Sequence, residues 1–268
     1  MTGDRGAAAS PPPASMRFAM LGSGSRGNGT LVSAGATTIL VDCGFMLRET
    51  ERRLGRLGVR AQDLAAILVT HEHFDHIGGV ARLARKYRIP VWLTRGTYEG
   101  WPDAPVPRVQ KFTPGDSFNV GELLVQTFPV PHDAREPCHF VFGDGQRRLG
   151  TVSDAGSCNE PMRRALSGLD ALMLEFNHDF EMLANGPYPA ALRDRVGGPL
   201  GHLSNTQAAA LLQALDCSRL RHLVLTHISE KNNTPAHALA AATGAIGASG
   251  ATIECAQQDE GLAWRELH

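Results

Sequence analysis

Long apolar runs are missing from this sequence, and no stretch approaches the roughly 18 consecutive apolar residues that a membrane-spanning helix needs. The N-terminus also lacks the apolar segment of a secretory signal. We therefore expect no membrane partner. Because residues 1–15 contain Pro11-Pro12-Pro13 and many Ala and Gly, we predict that they form a disordered tail, or lie upstream of a natural start at Met16.

Cysteine is scarce, and none of the five cysteines lies in a Cys-x-x-Cys spacing. An odd, scattered set does not indicate a disulfide framework. We expect buried free thiols in a reducing compartment, and so a cytoplasmic protein. The five are Cys43, Cys138, Cys158, Cys217 and Cys255.

Net charge is also small. The formal charge is −1, so the overall balance indicates neither a nucleic-acid partner nor a membrane partner. A local groove of Arg and Lys can nevertheless bind phosphates on a neutral protein, so a nucleic-acid partner remains open. With 43% apolar and 20% charged residues over 268 positions, the composition is that of a globular protein with a substantial core.

Short apolar runs alternate with helical stretches from residue 17 to the C-terminus, without a linker or a repeat. The predicted strands are 17–21, 30–33, 38–41, 65–69, 90–94, 123–128, 138–142, 146–152, 172–175, 220–226, 251–255 and 261–265. The predicted helices are 47–57, 80–87, 159–166, 206–215 and 235–245. Two sheets with helices on their outer faces account for this order, so we predict one α/β domain over residues 16–268.

A glycine-rich segment after the first strand imitates a dinucleotide-binding fingerprint. Gly22, Gly24 and Gly27 fit the spacing G-x-G-x-x-G, and Asp42 follows at about the expected distance of 20 residues. The fingerprint requires a helix to begin at the glycines, because the helix N-terminus holds the pyrophosphate. Here, β-branched residues and a tight turn at Gly35 predict a hairpin. We therefore expect the glycines to let the loop pass close to an active site.

The strongest motif is the segment that ends the strand at 65–69. It places His71, His73, Asp75 and His76 within six residues. Imidazole and carboxylate ligands together suit Zn²⁺, Mn²⁺ or Fe²⁺, and the lack of a nearby cysteine favours a catalytic metal site. The alternative is a surface loop with solvated histidines. That alternative requires the histidines to cluster by chance. Chance is a poor explanation, because three of the 11 histidines fall within six residues, directly after a strand that is predicted to be buried.

The pattern His-x-His-x-Asp-His after a strand resembles the metallo-β-lactamase superfamily, whose fold is a four-layer αββα sandwich. That resemblance implies three further ligands, each after a strand. His132 in Pro-His-Asp, Asp154 in Val-Ser-Asp and His227 in Leu-Thr-His fill these places in order. Alone, each of the three would more often be a structural or surface residue.

The resemblance also implies a ligand set for two divalent ions. His71, His73 and His132 would hold one ion, Asp75, His76 and His227 would hold the second, and Asp154 would bridge the pair. Asp42, at the end of a strand, would orient a ligand histidine from outside the cluster.

A second group of polar residues narrows the resemblance. Glu175, His178 and His202 are similar to the glutamate–histidine and Gly-His-Ser-Thr elements of the transfer-RNA 3′-processing nucleases (tRNase Z), which are related to the PhnP-like phosphodiesterases. The sequence is most similar to the YycJ-like (WalJ-like) bacterial metallohydrolases. Motifs similar to theirs stand at 21–25, 132–137, 177–179, 201–205 and 227–233.

Members of that family are regarded as nucleases or phosphodiesterases, including 5′-exonucleases acting on DNA. We therefore predict two-metal phosphodiester hydrolysis, in which a hydroxide bridging the ions attacks phosphorus. Asp75 would orient the hydroxide, and His202 or His178, held by Glu175, would protonate the leaving oxygen or bind the phosphate. Ser204 and Asn205 begin a helix that can hold a phosphate or simply be capped there. Substrate contact and a loop role stand equally open for Asn232 and Asn233.

Three other functions compete with this prediction. A flavodiiron-type oxidoreductase is disfavoured, because its ligand set usually alters the second His of the motif and no flavodoxin-like segment follows in the sequence. A thioester, lactone or β-lactam hydrolase on the same fold would not require Glu175, His178 and His202, because carbonyl chemistry needs no phosphate capture. A catalytically inactive binding module would be expected to have lost Asp75, which is present in an intact set of seven ligands. Neither DNA versus RNA nor the oligomeric state follows from the sequence.

Overall fold

The computed structural model of the chain describes residues 15–103, 105–247 and 250–268. The predicted disordered tail, residues 1–15, lies outside the described residues except for Ser15. The hydroxyl of Ser15 donates a hydrogen bond to Oε2 of Glu266 at 2.6 Å.

The described strands form two sheets of seven strands each. In chain order the strands are β1 (Met16–Gly22), β2 (Gly29–Ala34), β3 (Thr37–Val41), β4 (Ala66–Leu68), β5 (Val91–Thr94), β6 (Val109–Phe112), β7 (Ser117–Val120), β8 (Leu123–Pro129), β9 (Cys138–Gly143), β10 (Arg148–Val152), β11 (Ala171–Glu175), β12 (His222–Thr226), β13 (Thr252–Cys255) and β14 (Leu262–Leu267). The first sheet has the order β14-β1-β2-β3-β4-β5-β6 and the second β13-β12-β11-β10-β9-β8-β7. Strands β3 to β6 run parallel in the first sheet, and β10 to β13 run parallel in the second.

Helices connect the parallel strands. They are α1 (Leu47–Arg56), α2 (Phe74–Ile77), α3 (Val80–Tyr87), α4 (Arg95–Gly100), α5 (Glu160–Leu166), α6 (Phe180–Asn185), α7 (Ala190–Val196), α8 (Asn205–Ala214) and α9 (Pro235–Ile246), with a 3₁₀ turn at Ala61–Asp63. Because a parallel connection must cross the sheet, these helices lie over the sheet faces.

Three apolar clusters separate the four layers. Inward-facing residues of both sheets, such as Phe18 and Phe140, pack together at the centre. The outer face of the first sheet packs on α1 and α3 through residues such as Leu54 and Leu83. The outer face of the second sheet packs on α5, α8 and α9, with Leu211 as one contact. This arrangement confirms the predicted αββα sandwich.

Local sequence signals explain several boundaries. The side chain of Asn159 caps α5 by accepting from the backbone N–H of Met162, as predicted. β2 and β3 pair as an antiparallel hairpin around Gly35, which has φ of +56°. No helix begins at the glycine-rich loop, so the prediction against dinucleotide binding agrees with the fold.

Helices α6 and α7 were not predicted from the sequence. Both are short, and Pro187 and Pro189 stand between them. No residue of α7 is buried, so this helix leaves no apolar periodicity in the sequence. The backbone N–H of Asp179, which caps α6, donates to the carbonyl of Asn232 in the loop after β12 at 2.9 Å, and the backbone N–H of Asn177 after β11 donates to the carbonyl of Leu203 at 3.0 Å.

The cysteines and the helix lengths bear on two further expectations. All five cysteines are free, as predicted, but only Cys43 and Cys138 are buried, and the others are half-buried. Among the described helices, none is both long and apolar enough to cross a membrane.

Candidate metal centre

The predicted site residues lie at one edge of the two sheets, just beyond the carboxyl ends of their strands. Asp42 follows β3, Asp154 follows β10 and His227 follows β12. These three residues adopt left-handed backbone conformations, with φ of 59°, 51° and 52°. Such φ values are uncommon outside glycine, although Asp and His tolerate them better than most residues. The sharp turn after each strand directs these side chains to a common centre.

One group of ligand atoms is formed by His71, His73, His132 and Asp154, which all lie within 4.8 Å of one another. Nε2 of His132 is 3.1 Å from Nδ1 of His73, and Nε2 of His71 is 3.3 Å from Oδ2 of Asp154. His132 is held from behind, because its Nδ1 lies 3.0 Å from the carbonyl oxygen of Gly201. Three imidazoles and a carboxylate thus converge from the three loops after β4, β8 and β10.

A second group shares Asp154. Nε2 of His76 lies 3.0 Å from Oδ2 of Asp154 and 3.6 Å from Oδ2 of Asp75. His227 contacts Oδ1 of Asp154 through Nδ1, and its Nε2 is 3.9 Å from Oδ2 of Asp75. The structure therefore brings all seven predicted metal ligands together, with Asp154 between the two groups.

The donor set fits divalent metal ions. Nε2 of His71, Oδ1 of Asp154 and Nδ1 of His227 are buried, and although each lies close to another ligand atom, none makes a hydrogen bond of normal geometry among the described residues. Buried polar atoms in proteins are almost always paired, so three unpaired atoms in one centre need another partner. Imidazole nitrogens and carboxylate oxygens packed this closely are the ligands that Zn²⁺, Mn²⁺ and Fe²⁺ accept.

The buried charges of the centre shift the pKa of one another. Burial, with the nearby charge of His76, lowers the pKa of His71 well below its usual range. Burial also opposes the charged form of His76, but Asp154 and Asp75 outweigh it and raise the pKa of His76. The pKa of Asp154 is held well below its usual range, against burial, by His227 and His76. A buried ionised carboxylate among imidazoles is thus stable at neutral pH, which suits metal binding.

Asp42 holds His76 from the side away from the centre. Its Oδ2 lies 2.7 Å from Nδ1 of His76, and it also accepts from the hydroxyl of Thr70 at 2.9 Å. Its Oδ1 accepts from the backbone N–H of Thr70 at 2.9 Å. Since Nδ1 of His76 faces Asp42, Nε2 faces Asp154. A carboxylate behind a ligand histidine fixes its ring and tautomer.

We expect Asp42→Asn to weaken Zn²⁺ binding by roughly 10–100-fold, the usual cost of losing such a carboxylate behind a ligand. Asparagine keeps the size of the side chain and tolerates the left-handed backbone. Competition with a chromophoric chelator measures the affinity. Asp170→Asn is the matched control, because Asp170 is also buried but pairs with Arg219 away from the centre. Equal losses in both variants would contradict the role of Asp42.

Glu175 and His202 form a pair beside the two metal-ligand groups. Glu175 ends β11, is fully buried, and accepts from Nδ1 of His202 at 2.7 Å. Its other oxygen accepts from the backbone N–H groups of Ala155 and Leu203. Nδ1 of His202 lies 3.6 Å from Oδ1 of Asp154. Although burial disfavours the charged ring, Glu175 raises the pKa of His202 to about 9. An imidazolium therefore stands next to the ligand cluster.

His178 differs from His202. Burial lowers the pKa of His178 to about 4, so its ring is neutral. Nδ1 of His178 lies 3.4 Å from Oδ1 of Asn177, whereas Glu175 contacts Nδ1 of His202. The sequence predicted that Glu175 holds either His178 or His202, and in the structure it contacts His202.

The remaining predicted residues cluster at the start of α8 and in the loop after β12. Ser204 caps α8 in a capping box with Gln207. The side-chain amides of Asn205 and Asn233 bond to each other at 2.9 Å, and Asn233 also donates to the carbonyl of Phe176. These contacts hold the loop against β11. Substrate contact by these residues stays a prediction.

Asn232 is fully buried, and neither atom of its side-chain amide has a partner among the described residues. Its amide oxygen faces Gly186, where an added Cβ would come within 2.3 Å of it. The two asparagines after β12 therefore have different surroundings. Substrate contact by Asn232 also stays a prediction.

Two neighbours of the centre were missed in the sequence. Nδ2 of Asn28 lies 3.0 Å from Nε2 of His76 and 3.3 Å from Oδ2 of Asp75. The hydroxyl of Ser23 accepts from the backbone N–H of His227 at 2.8 Å. Both belong to the glycine-rich loop, which does pass close to the centre. The position of that loop after a strand was the available signal.

The family comparisons agree with this architecture and site. The model of the β-lactamase superfamily domain matches residues 37–228. Among solved structures, the metallo-β-lactamase fold protein YhfI from Bacillus subtilis superposes with a TM-score of 0.73 at 17% identity, covering 94% of this chain and 99% of that one. A diphosphatase of the PhnP family gives a TM-score of 0.66 at 17% identity, covering 94% and 98%. The fold and the site therefore define a metallo-β-lactamase-type hydrolase.

Two relatives narrow the assignment. The exodeoxyribonuclease YycJ of Bacillus anthracis is 36% identical over 222 residues, covering 81% of this chain and 84% of the relative. The exodeoxyribonuclease WalJ of Streptococcus pneumoniae strain D39 is 33% identical over 224 residues, covering 81% and 83%. The chain therefore belongs to the YycJ and WalJ family of the β-lactamase superfamily, as the motifs predicted.

Proposed function

We propose that this protein is a phosphodiesterase that degrades DNA from the 5′ end, with two divalent ions at the centre described above. The observation that carries the proposal is the position of the Glu175–His202 pair, 3.6 Å from Asp154. A phosphodiester has a poor alkoxide leaving group, which needs a proton donor beside the reacting phosphorus. Carbonyl hydrolysis at the metal centre does not require this pair.

Each of the two ligand groups would bind one ion. His71, His73 and His132 would hold one ion, and Asp75, His76 and His227 the other, with Asp154 shared. When bound, the ions supply Lewis acidity to the phosphate oxygens and to the attacking water. Zn²⁺ and Mn²⁺ both suit this mixture of nitrogen and oxygen ligands, as does Fe²⁺.

The protein's own groups move the protons. Oδ2 of Asp75 accepts a hydrogen bond from the attacking water and aims it at phosphorus. The water oxygen forms the new P–O bond while the bond from phosphorus to the 3′ oxygen of the terminal nucleotide breaks. His202 then gives its Nε2 proton to that 3′ oxygen, since its Nδ1 is engaged by Glu175. The attacking water releases one proton to solvent past Asp75, and His202 takes a proton back from solvent after the products leave. The products are a 5′-mononucleotide and a strand with a new 5′-phosphate.

His178 and the residues around it bind in this scheme and do not transfer protons. Its neutral ring, next to Ser204, can contact a sugar or a phosphate oxygen without a charge of its own. Arg195 of α7 pairs with Asp133 at 2.6 Å beside His132, and its side chain remains largely exposed. It places a cation at the rim of the centre, where a DNA backbone would pass.

The relatives support DNA as the substrate, since both YycJ and WalJ are named exodeoxyribonucleases. The free cysteines support a reducing compartment, and we place the activity in the cytoplasm.

A substrate panel tests the proposal. Purified protein loaded with Zn²⁺ or Mn²⁺ is offered bis-p-nitrophenyl phosphate, end-labelled single-stranded and duplex DNA, RNA, S-lactoylglutathione and nitrocefin. We expect release of mononucleotides from the 5′ end of DNA. Turnover confined to S-lactoylglutathione and nitrocefin would contradict the proposal and indicate a thioester or β-lactam hydrolase. Cleavage of RNA but not of DNA would contradict DNA as the substrate.

We expect His202→Ala to lower kcat for phosphodiesters by about 100-fold, while the bound metal per chain stays the same. The proton donor is lost, but the seven ligands remain. His222→Ala is the matched control, since His222 stands at the opposite end of β12. A loss of metal equal to the loss of turnover would show instead that His202 is a ligand.

A further inference from the structure

A cleft of about 810 Å³ opens beside the metal centre, between α6, α7 and the start of α8. His178 and Ser204 form its inner wall, and Phe180 and Arg193 lie at its outer parts. His178 is near Glu175 and His202, whose charges act on its ring, and Nδ1 of His202 lies 3.6 Å from Oδ1 of Asp154. Helix α7 spans both places, because Arg193 lines the cleft while Arg195 pairs with Asp133 beside His132.

The side chain of Phe180 is exposed and does not pack in the core. Its exposed fraction is 67%, and it belongs to none of the three apolar clusters. Among the described Phe, Tyr and Trp residues, only Phe74 and Phe180 are exposed. Phe74 stands between His73 and Asp75, and Phe180 stands two residues after His178. Of the two, Phe180 lines the cleft, where a ligand with a flat apolar face would cover its ring.

We propose that the cleft binds the 5′-terminal nucleotide of single-stranded DNA, with its base stacked on Phe180. This inference rests on the proposed function. The volume exceeds that of a single side chain and lies in the range of small-molecule sites. The lining combines the ring of Phe180 and the cation of Arg193 with neutral polar groups and one carboxylate, Asp194. An aromatic face beside a cation is what proteins that bind single-stranded nucleic acids use. Because His178 in the cleft lining is near His202, a nucleotide in the cleft would place its 3′ oxygen towards His202.

The test is a double-mutant cycle, in which the Phe180 side chain and one base of the substrate are removed separately and together. The substrates are 5′-phosphorylated single strands with all bases, with an abasic unit at the 5′-terminal nucleotide, or with an abasic unit at the third nucleotide. Phe180→Ala is expected to raise KM about ten-fold on the first and third strands, the lower range of one lost base–aromatic stack. On the 5′-abasic strand it should change KM less than about two-fold, because the partner is already absent.

Matched variants separate stacking from bulk. Phe180→Trp should keep the low KM, whereas Phe180→Leu, which keeps apolar volume without a ring, should lose it. Leu124→Ala is the control, since Leu124 is an exposed apolar residue on β8 outside the cleft. Fluorescence anisotropy with the same strands on Asp75→Asn protein repeats the comparison without turnover.

The outcomes are distinct. Equal effects of Phe180→Ala on the intact and 5′-abasic strands, or full activity of Phe180→Leu, would overturn the stacking role. Sensitivity to the third base instead of the first would overturn the terminal assignment. If the wild-type protein cleaves no strand, the proposed function fails, while a wild-type exonuclease indifferent to Phe180 disproves only this inference.

Discussion

Asp75→Asn should lower kcat for DNA and for bis-p-nitrophenyl phosphate by about a thousand-fold, within the range for loss of a positioned catalytic group. Oδ2 of Asp75 faces both Nε2 of His76 and Nε2 of His227, at 3.6 and 3.9 Å, and accepts from Asn28 at 3.3 Å. Asparagine matches the shape of the side chain but lacks its charge and one acceptor. It can therefore neither balance a second cation nor direct a water as the carboxylate does.

The fold should survive this change, because the Asp75 side chain is 23% exposed and the backbone contacts of its loop do not involve the carboxylate. The carbonyl oxygen of Asp75, which accepts from the backbone N–H of Asn28, is untouched. Steady-state kinetics and a thermal melt of the same preparation provide the measurements. Asp63→Asn, at an exposed carboxylate paired with Arg60, is the control. Undiminished kcat in Asp75→Asn would refute both roles of the residue.

Much of the fold was accessible from the sequence because burial leaves a periodic signature. Strand β12 and helix α8 appear in the sequence within one or two residues of their observed bounds. Helix α7 has no buried residue, so it leaves no such signature. The treatment of residues 16–268 as one domain stays a prediction. It is supported by the centre itself, since His71 follows a strand of one sheet and Asp154 follows a strand of the other.

The candidate site was accessible for a different reason. Metal chemistry demands particular residue types, and the segment from His71 to His76 concentrates them in six positions. The distant members, such as Asp154 and His227, have no local pattern of their own, so only the family resemblance indicated them. Their left-handed backbone turns, which aim them at the centre, depend on contacts made after folding.

Pairing among polar residues was the least accessible feature. The sequence predicted a group of Glu175, His178 and His202, but it did not show which histidine the glutamate holds. The choice depends on the segment just before α8, where the backbone N–H of Leu203 donates to the second oxygen of Glu175. Phe180 was equally hidden, because an apolar residue in a sequence is first assigned to the core.

Removal of divalent ions should abolish turnover and lower the Tm by roughly 10 °C, and added Zn²⁺ or Mn²⁺ should restore both. An ion at about a thousand times its Kd stabilises the folded chain by about 4 kcal/mol, and each kcal/mol moves the Tm of a chain near this size by about 2–4 °C. The ligands come from loops after β4, β8, β10 and β12, so the unfolded chain cannot gather them. The binding energy therefore becomes folding energy.

A ligand variant provides the matched control. His132→Ala removes one nitrogen from the group of His71 and His73, so its Tm should respond less to added metal than that of the wild type. His237→Ala, at an exposed histidine on α9, should respond as the wild type does. Metal content by mass spectrometry, measured beside each melt, ties the shift to occupancy. If none of the ions tested changes the Tm of the wild type, the buried atoms of His71, Asp154 and His227 do not form a metal site.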